Sequence, residues 1–207
     1  MTGAVTGELP IYSVCSAMDQ GSGSVWVSCD NSSPKLVRID AATGASTAEI
    51  PMPARLPLNS SVGAGEGAVW LLTAGSPRQL LAVDPGTNTV ARTVPPEGAN
   101  AVRAGFGAVW VSIATPGQVA RLDPAPNAVT ATIKESCGGI AANDLAASAD
   151  AVWVRVLADA LAVRIDPQTN AVVDRLGPPA GRGGVAIADT SVWITAHDKQ
   201  SIWRLPR

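Results

Sequence analysis

Short apolar runs separated by turn residues organise this chain, and no segment has convincing helical periodicity. Residues 60–98 show the unit well. Ser61-Val-Gly-Ala64 reads as a short inner strand of small residues, and Gly65-Glu-Gly67 turns it into a second strand, Ala68-Val-Trp-Leu-Leu-Thr73. A loop at Ala74-Gly-Ser-Pro77 leads to a third strand, Gln79-Leu-Leu-Ala-Val83. Asp84-Pro-Gly-Thr-Asn88 then turns into the outer strand, Thr89-Val-Ala-Arg-Thr-Val94. Val, Leu and Thr runs bounded by Gly, Pro, Asn and Asp are antiparallel hairpin signals.

This unit recurs five times. Its most legible part is Gly23-Ser-Val-Trp-Val27, then Gly67-Ala-Val-Trp-Leu71, Gly107-Ala-Val-Trp-Val111, Asp150-Ala-Val-Trp-Val154 and Thr190-Ser-Val-Trp-Ile194. The tryptophans are spaced by 44, 40, 43 and 40 residues, and the first four are followed 13 or 14 residues later by Asp40, Asp84, Asp123 or Asp166. A period near 40 built of short strands predicts an all-β, five-bladed β-propeller of four-stranded antiparallel blades. The repeats fall near 11–50, 56–94, 97–133, 137–176 and 180–207. The last is completed by residues 1–10, because Gly3-Ala-Val-Thr-Gly-Glu-Leu-Pro10 lines up with Gly44-Ala-Ser-Thr-Ala-Glu-Ile-Pro51. One domain covering 1–207 and a ring closed by its N-terminal strand are therefore expected, since closure removes sheet edges.

Two repeated features invite a chemical reading and receive a structural one. The Asp-Pro-x-Thr-Asn turns, also seen as Asp123-Pro-Ala-Pro-Asn127 and Asp166-Pro-Gln-Thr-Asn170, lack the alternating oxygen ligands of a calcium loop. Their aspartates are expected to accept turn N–H groups while Asn or Gly takes the left-handed conformation. The five in-register tryptophans are expected to pack between blades. Trp203 stands out of register, where other repeats have Val37, Leu81, Ala120 and Val163, and is the one tryptophan considered for ligand contact.

Composition narrows the function classes. The charged fraction is 15%, the net charge is −2, and lysine occurs only at 35, 134 and 199, so the basic stripe of a nucleic-acid binder is absent. No apolar run approaches a membrane span. Residues 1–10 lack signal-peptide regions, yet an exported domain expressed without its leader fits the sequence. The excess of arginine over lysine and the abundance of Ala and Gly lean toward a bacterial source.

Chemistry is expected on one face, where loops from outer to inner strands meet loops between second and third strands, because function in repeat proteins lies in what departs from the repeat. Candidate binding residues there are Tyr12, Arg55, Glu97, Asn100, Glu135, Cys137, Asn143, Arg182 and Asp198. His197 is the only histidine and the only candidate general base, with Asp198 beside it. No site needing two histidines can form, and no metal ligands are assigned. Glu97, Glu135, Asp30 and Asp144 could together hold a cation at the ring mouth. Cys15 and Cys29 would be cross-strand neighbours around a hairpin centred near Ser22. They read equally well as a disulfide closing a loop of about 15 residues and as two reduced core thiols.

The pattern Gly-x-Val-Trp-Val … Arg-Ile-Asp-Pro-x-Thr-Asn-x-Val resembles the bacterial propeller superfamily of streptogramin B lyases and YVTN- and NHL-type repeats. The resemblance covers essentially the whole chain and implies a propeller fold. It also implies a choice of functions among secreted binding proteins, extracellular sensor domains and lyases. A lyase would use a His base, here His197, with magnesium held by acidic residues. The leading expectation is an extracytoplasmic, monomeric module without a cofactor. It would bind a small molecule, glycan or protein on the variable-loop face. A lyase-like cyclising or eliminating enzyme and a protein-interaction scaffold are the alternatives.

Overall fold

The computed structural model describes residues 7–11, 14–30, 32–57, 61–95, 97–113, 116–134, 144–148, 150–157, 160–188 and 190–207. Five antiparallel sheets follow one another along the chain as the blades of a five-bladed β-propeller. Blade one holds β1 (Cys15–Gly21), β2 (Ser24–Cys29), β3 (Lys35–Asp40) and β4 (Ser46–Pro51). Blade two holds β5 (Val62–Gly65), β6 (Ala68–Leu72), β7 (Leu80–Asp84) and β8 (Thr89–Val94). Blade three holds β9 (Ala99–Gly105), β10 (Ala108–Ile113), β11 (Gln118–Asp123) and β12 (Ala128–Lys134). Blade four holds β13 (Asp144–Ala147), β14 (Val152–Arg155), β15 (Ala162–Asp166) and β16 (Ala171–Leu176). Blade five shows β17 (Val185–Ala188), β18 (Ser191–Ala196) and β19 (Ser201–Pro206). Its expected fourth strand falls partly on residues 1–6, outside the described residues, while residues 7–11 carry no strand.

The core lies between blades rather than within them. Trp26, Trp70, Trp110 and Trp153 are 0–1% exposed, and each joins an apolar cluster with the next blade. Trp26, for example, packs with Val62, Val69, Leu71 and Val83. The buried indole N–H groups are satisfied locally, at 3.0 Å, by the carbonyls of Gly21, Gly65 and Gly105, while Trp153 uses Ser148 Oγ at 3.3 Å.

Each of the five in-register tryptophans, Trp193 included, also carries an arginine over its ring, at 4.9 to 5.9 Å from the centroid. In four blades it is the arginine of the Arg-Ile-Asp-like triplet: Arg38, Arg121, Arg164 and Arg204. Blade two has Ala82 there, and Arg92, the cross-strand partner of Ala82, supplies the cation instead. Three of these arginines fasten neighbouring blades, while Arg164 and Arg204 bond within their own. Arg38 donates to Pro85 O and Asn88 Oδ1, Arg92 to Pro124 O and Asn127 Oδ1, and Arg121 to Pro167 O and Asn170 Oδ1.

The turns between third and fourth strands, three of which receive these arginines, have the expected chemistry. Gly44, Asn88, Asn127 and Asn170 all lie at positive φ, between 55° and 72°. Asp40, Asp84, Asp123 and Asp166 accept N–H groups from residues two positions ahead at 2.7–3.1 Å. Backbone donation, led by Thr43, Gly86 and Gln168 respectively, holds the carboxyls of Asp40, Asp84 and Asp166 below the usual aspartate value.

The junction between blade five and blade one differs from the other four. Trp193 is 42% exposed, and its indole N–H has no partner among the described residues. The small cluster on blade one, Val27, Cys29 and Val37 with Ile11, Val25 and Ile39 against it, includes no blade-five residue. Trp193 is thus an exception to the expected packing, because among the described residues no neighbouring blade is pressed against it. Trp203, considered above for ligand contact, packs instead into the cluster between blades four and five. Trp→Ala substitution at 26, 70, 110 or 153 should cost roughly 3–5 kcal/mol, and at 193 markedly less; urea unfolding of the five variants checks this ranking.

Candidate ligand-binding site

The channel mouth opens into a cavity of about 1000 Å³ whose wall draws on every blade. Blade one contributes Ser16, Ala17 and Met18, blade two Ser61, blade three Asn100, Ala101 and Arg103, and blade four Asp144. Blade five gives Arg182, Gly183 and Thr195–His197, with Gln200, Ser201 and Ile202. These positions are the starts of inner strands and the β18–β19 connection, so the cavity sits on the face where the repeats diverge.

A polar belt holds the inner strands together below it. Ser61 Oγ accepts from Val102 N and Arg103 Nη1, at 3.0 and 2.9 Å. Arg103 Nη2 reaches Asp144 Oδ1 at 3.5 Å, and Asp144 Oδ2 accepts from Val185 N at 3.1 Å. Blades two to five are thereby linked in series. The backbones run close enough to exclude side chains: a Cβ on Gly63 would lie 3.0 Å from Arg103 Cα.

The wall near blade five is equally fixed. Arg155 is completely buried and spends its guanidinium on the carbonyls of Thr195, Val156, Leu161, Ala180 and Gly181. Gly181 N donates to Asp198 Oδ1 at 2.6 Å, and His197 N donates to Arg182 O at 2.9 Å. A Cβ on Gly181 would come within 2.8 Å of the Asp198 carboxyl carbon, and one on Gly183 would overlap Thr195 O.

Of the sequence candidates, Asn100, Arg182 and His197 line the cavity. Arg55 does not: it pairs with Asp30 at 2.9 Å, its side chain 64% exposed. Glu97 is exposed and outside the wall, and Asp198 is engaged with Gly181 N. Tyr12, Glu135, Cys137 and Asn143 lie outside the described residues. His197, on a single 3-10 turn at His197–Lys199, is exposed, and its imidazole makes no hydrogen bond among the described residues. The Asp198 carboxylate, spent on Gly181, does not orient it. Of the carboxylates proposed for a cation, Asp30 pairs with Arg55 and Asp144 with Arg103, and Glu135 lies outside the described residues. Among the described residues, no three His, Cys, Asp or Glu groups could hold a metal.

Sequence reasoning missed Arg103 and Ser61, although a signal existed. The inner-strand partners of the five tryptophans are Asp19, Gly63, Arg103, Ala146 and Ala186, so Arg103 is the conspicuous departure from small residues. Cys15 and Cys29 are register partners with Cα atoms 3.9 Å apart, and their sulfurs are bonded. Reducing a link that closes about 15 residues should lower stability by roughly 3 kcal/mol. Thermal melts with and without reductant, beside a Cys29→Ser control that should not respond, check it.

No protein-family model and no curated protein matches the chain. Among solved structures it resembles Myxococcus xanthus glutaminyl cyclase, with a TM-score of 0.57 at 13% identity over 93% of this chain and 89% of that one. It also resembles Kuenenia stuttgartiensis hydrazine synthase, with a TM-score of 0.63 at 12% identity over 100% of this chain and 69% of that one. At these identities the likeness establishes the β-propeller fold and leaves function to the site itself.

Proposed function

We propose that this propeller is a non-catalytic ligand-binding module, with the channel-mouth cavity as its site. The carrying observation is the cavity: about 1000 Å³, formed by all five blades and lined where the repeats differ. Its size suits a small molecule, and its floor is preorganised by the Ser61–Arg103–Asp144 belt. A catalytic reading has less support, because among the described residues His197 has neither an orienting carboxylate nor a nucleophile hydrogen-bonded to it. The Cys15–Cys29 bond supports an extracytoplasmic setting, where disulfides persist.

Ligand screening by thermal shift tests this on the parent and on Ser16→Trp and Asn100→Trp, which fill the cavity. Stabilising compounds are expected to act on the parent and to lose most of their effect on both variants. Compounds that stabilise all three equally, or a broad panel without one stabiliser of the parent, would overturn the reading. His197→Ala is expected to leave the fold intact and to alter affinity modestly or not at all.

A further inference from the structure

Within the cavity wall the formal charges do not cancel. Arg103 is committed to Ser61, Val62 O, Val102 O and Asp144, so that pair is neutral as a unit. Arg182 remains, and its guanidinium makes no hydrogen bond or ion pair among the described residues. The Asp198 carboxylate, outside this wall, accepts from Gly181 N. The backbone bearing Arg182 is nevertheless pinned on both sides, by Arg155 and Asp198 at Gly181 and by His197 N at its own carbonyl. A cation with a fixed base and no partner among the described residues is ready to accept an anion without an ordering cost to the backbone.

The same wall carries two apolar side chains that the fold leaves open. Met18 and Ile202 are 67% and 69% exposed, and both line this cavity. Large apolar groups facing a concave, partly polar site mark a surface awaiting an apolar partner.

We infer that the cavity takes a small amphipathic acid, with its oxyanion group on Arg182 and its apolar body against Met18 and Ile202. This rests on the ligand-binding reading above. The guanidinium fork suits carboxylate and phosphate alike.

The test uses 1-anilinonaphthalene-8-sulfonate, a fluorescent acid with an apolar body, titrated into the intact chain at constant ionic strength. Arg182→Ala should weaken binding by roughly tenfold or more, the scale of one lost charge-assisted contact. Ile202→Gln should weaken it as well, Arg182→Lys should fall between, and Lys199→Ala, off the wall, should leave it unchanged. Octanoate should displace the probe where octanamide does not, and octyl phosphate beside octanoate separates a phosphate from a carboxylate preference. All side chains changed are exposed, and melting curves confirm folding. Parent-like affinity in Arg182→Ala, or equal displacement by octanoate and octanamide, would overturn the acid inference. If Ile202→Gln and Ser16→Trp still abolish binding in that case, the cavity remains a ligand site for neutral molecules. Binding indifferent to Ser16→Trp as well would sink both.

Discussion

Arg155→Met is expected to be among the most destabilising single substitutions in the chain, at roughly 3–5 kcal/mol, the scale of removing one partner from a buried charged network. That is a large share of a total stability of roughly 5–15 kcal/mol. Methionine fills much of the volume but donates nothing, so the carbonyls of Val156, Leu161, Ala180, Gly181 and Thr195 lose the arginine donor together, and of these Leu161 O keeps a bond from Val156 N. Burial pulls the arginine pKa down and the nearby Asp198 charge opposes this, yet a guanidinium stays protonated in either case. Arg155→Lys should recover only part of the loss, because one ammonium cannot span both sides of the blade four–five junction. Urea midpoints for the two variants provide the check; a parent-like midpoint in Arg155→Met would show that the carbonyls find other donors. The substitution should also weaken ligand binding, since Arg155 holds the segment from which Arg182 projects.

Removal of residues 1–10 should lower the melting temperature by at least about 5 °C, on the order of 2 kcal/mol for a chain of this length, or cause aggregation. The sequence reason is the match of Gly3–Pro10 to Gly44–Pro51, which forms the approach to β4 and β4 itself in blade one. The structural reason is that β19 lies at the end of a sheet with three described strands, with Ile202 and Trp193 open to solvent beside it. An unpaired, partly apolar edge is a template for other chains. A synthetic peptide of residues 1–10 added to the truncated chain should restore part of the lost stability. A truncated chain as stable as the parent would refute closure by this segment.

Much of the fold was legible because each blade repeats the same local chemistry. In blade two the observed strands Val62–Gly65, Ala68–Leu72, Leu80–Asp84 and Thr89–Val94 fall within a residue of the positions expected from apolar runs and turn residues. The Asp-Pro-x-Thr-Asn turns behaved as local hydrogen bonding dictates, since their partners lie within four residues. The candidate site was legible only in outline. The loop classes identified the face and three of its wall residues, Asn100, Arg182 and His197. They did not show that Arg55 turns to Asp30, that Asp198 caps Gly181, or that Arg103 crosses to Asp144.

By itself, then, the sequence determined the number of blades, their strand order and the register of the tryptophans, because hairpins are specified by residues close together in the chain. Tertiary structure decided which polar groups are consumed and which remain free. The Arg103–Asp144 and Asp144–Val185 contacts each join residues 41 positions apart, one full repeat. No local pattern encodes such a pairing, because it depends on how closely successive blades approach around the channel. The same reason separates Trp193 from its four counterparts. The motif around it is the same, but burial of an inter-blade side chain is set by the neighbour pressed against it, and blade five lacks that neighbour among the described residues.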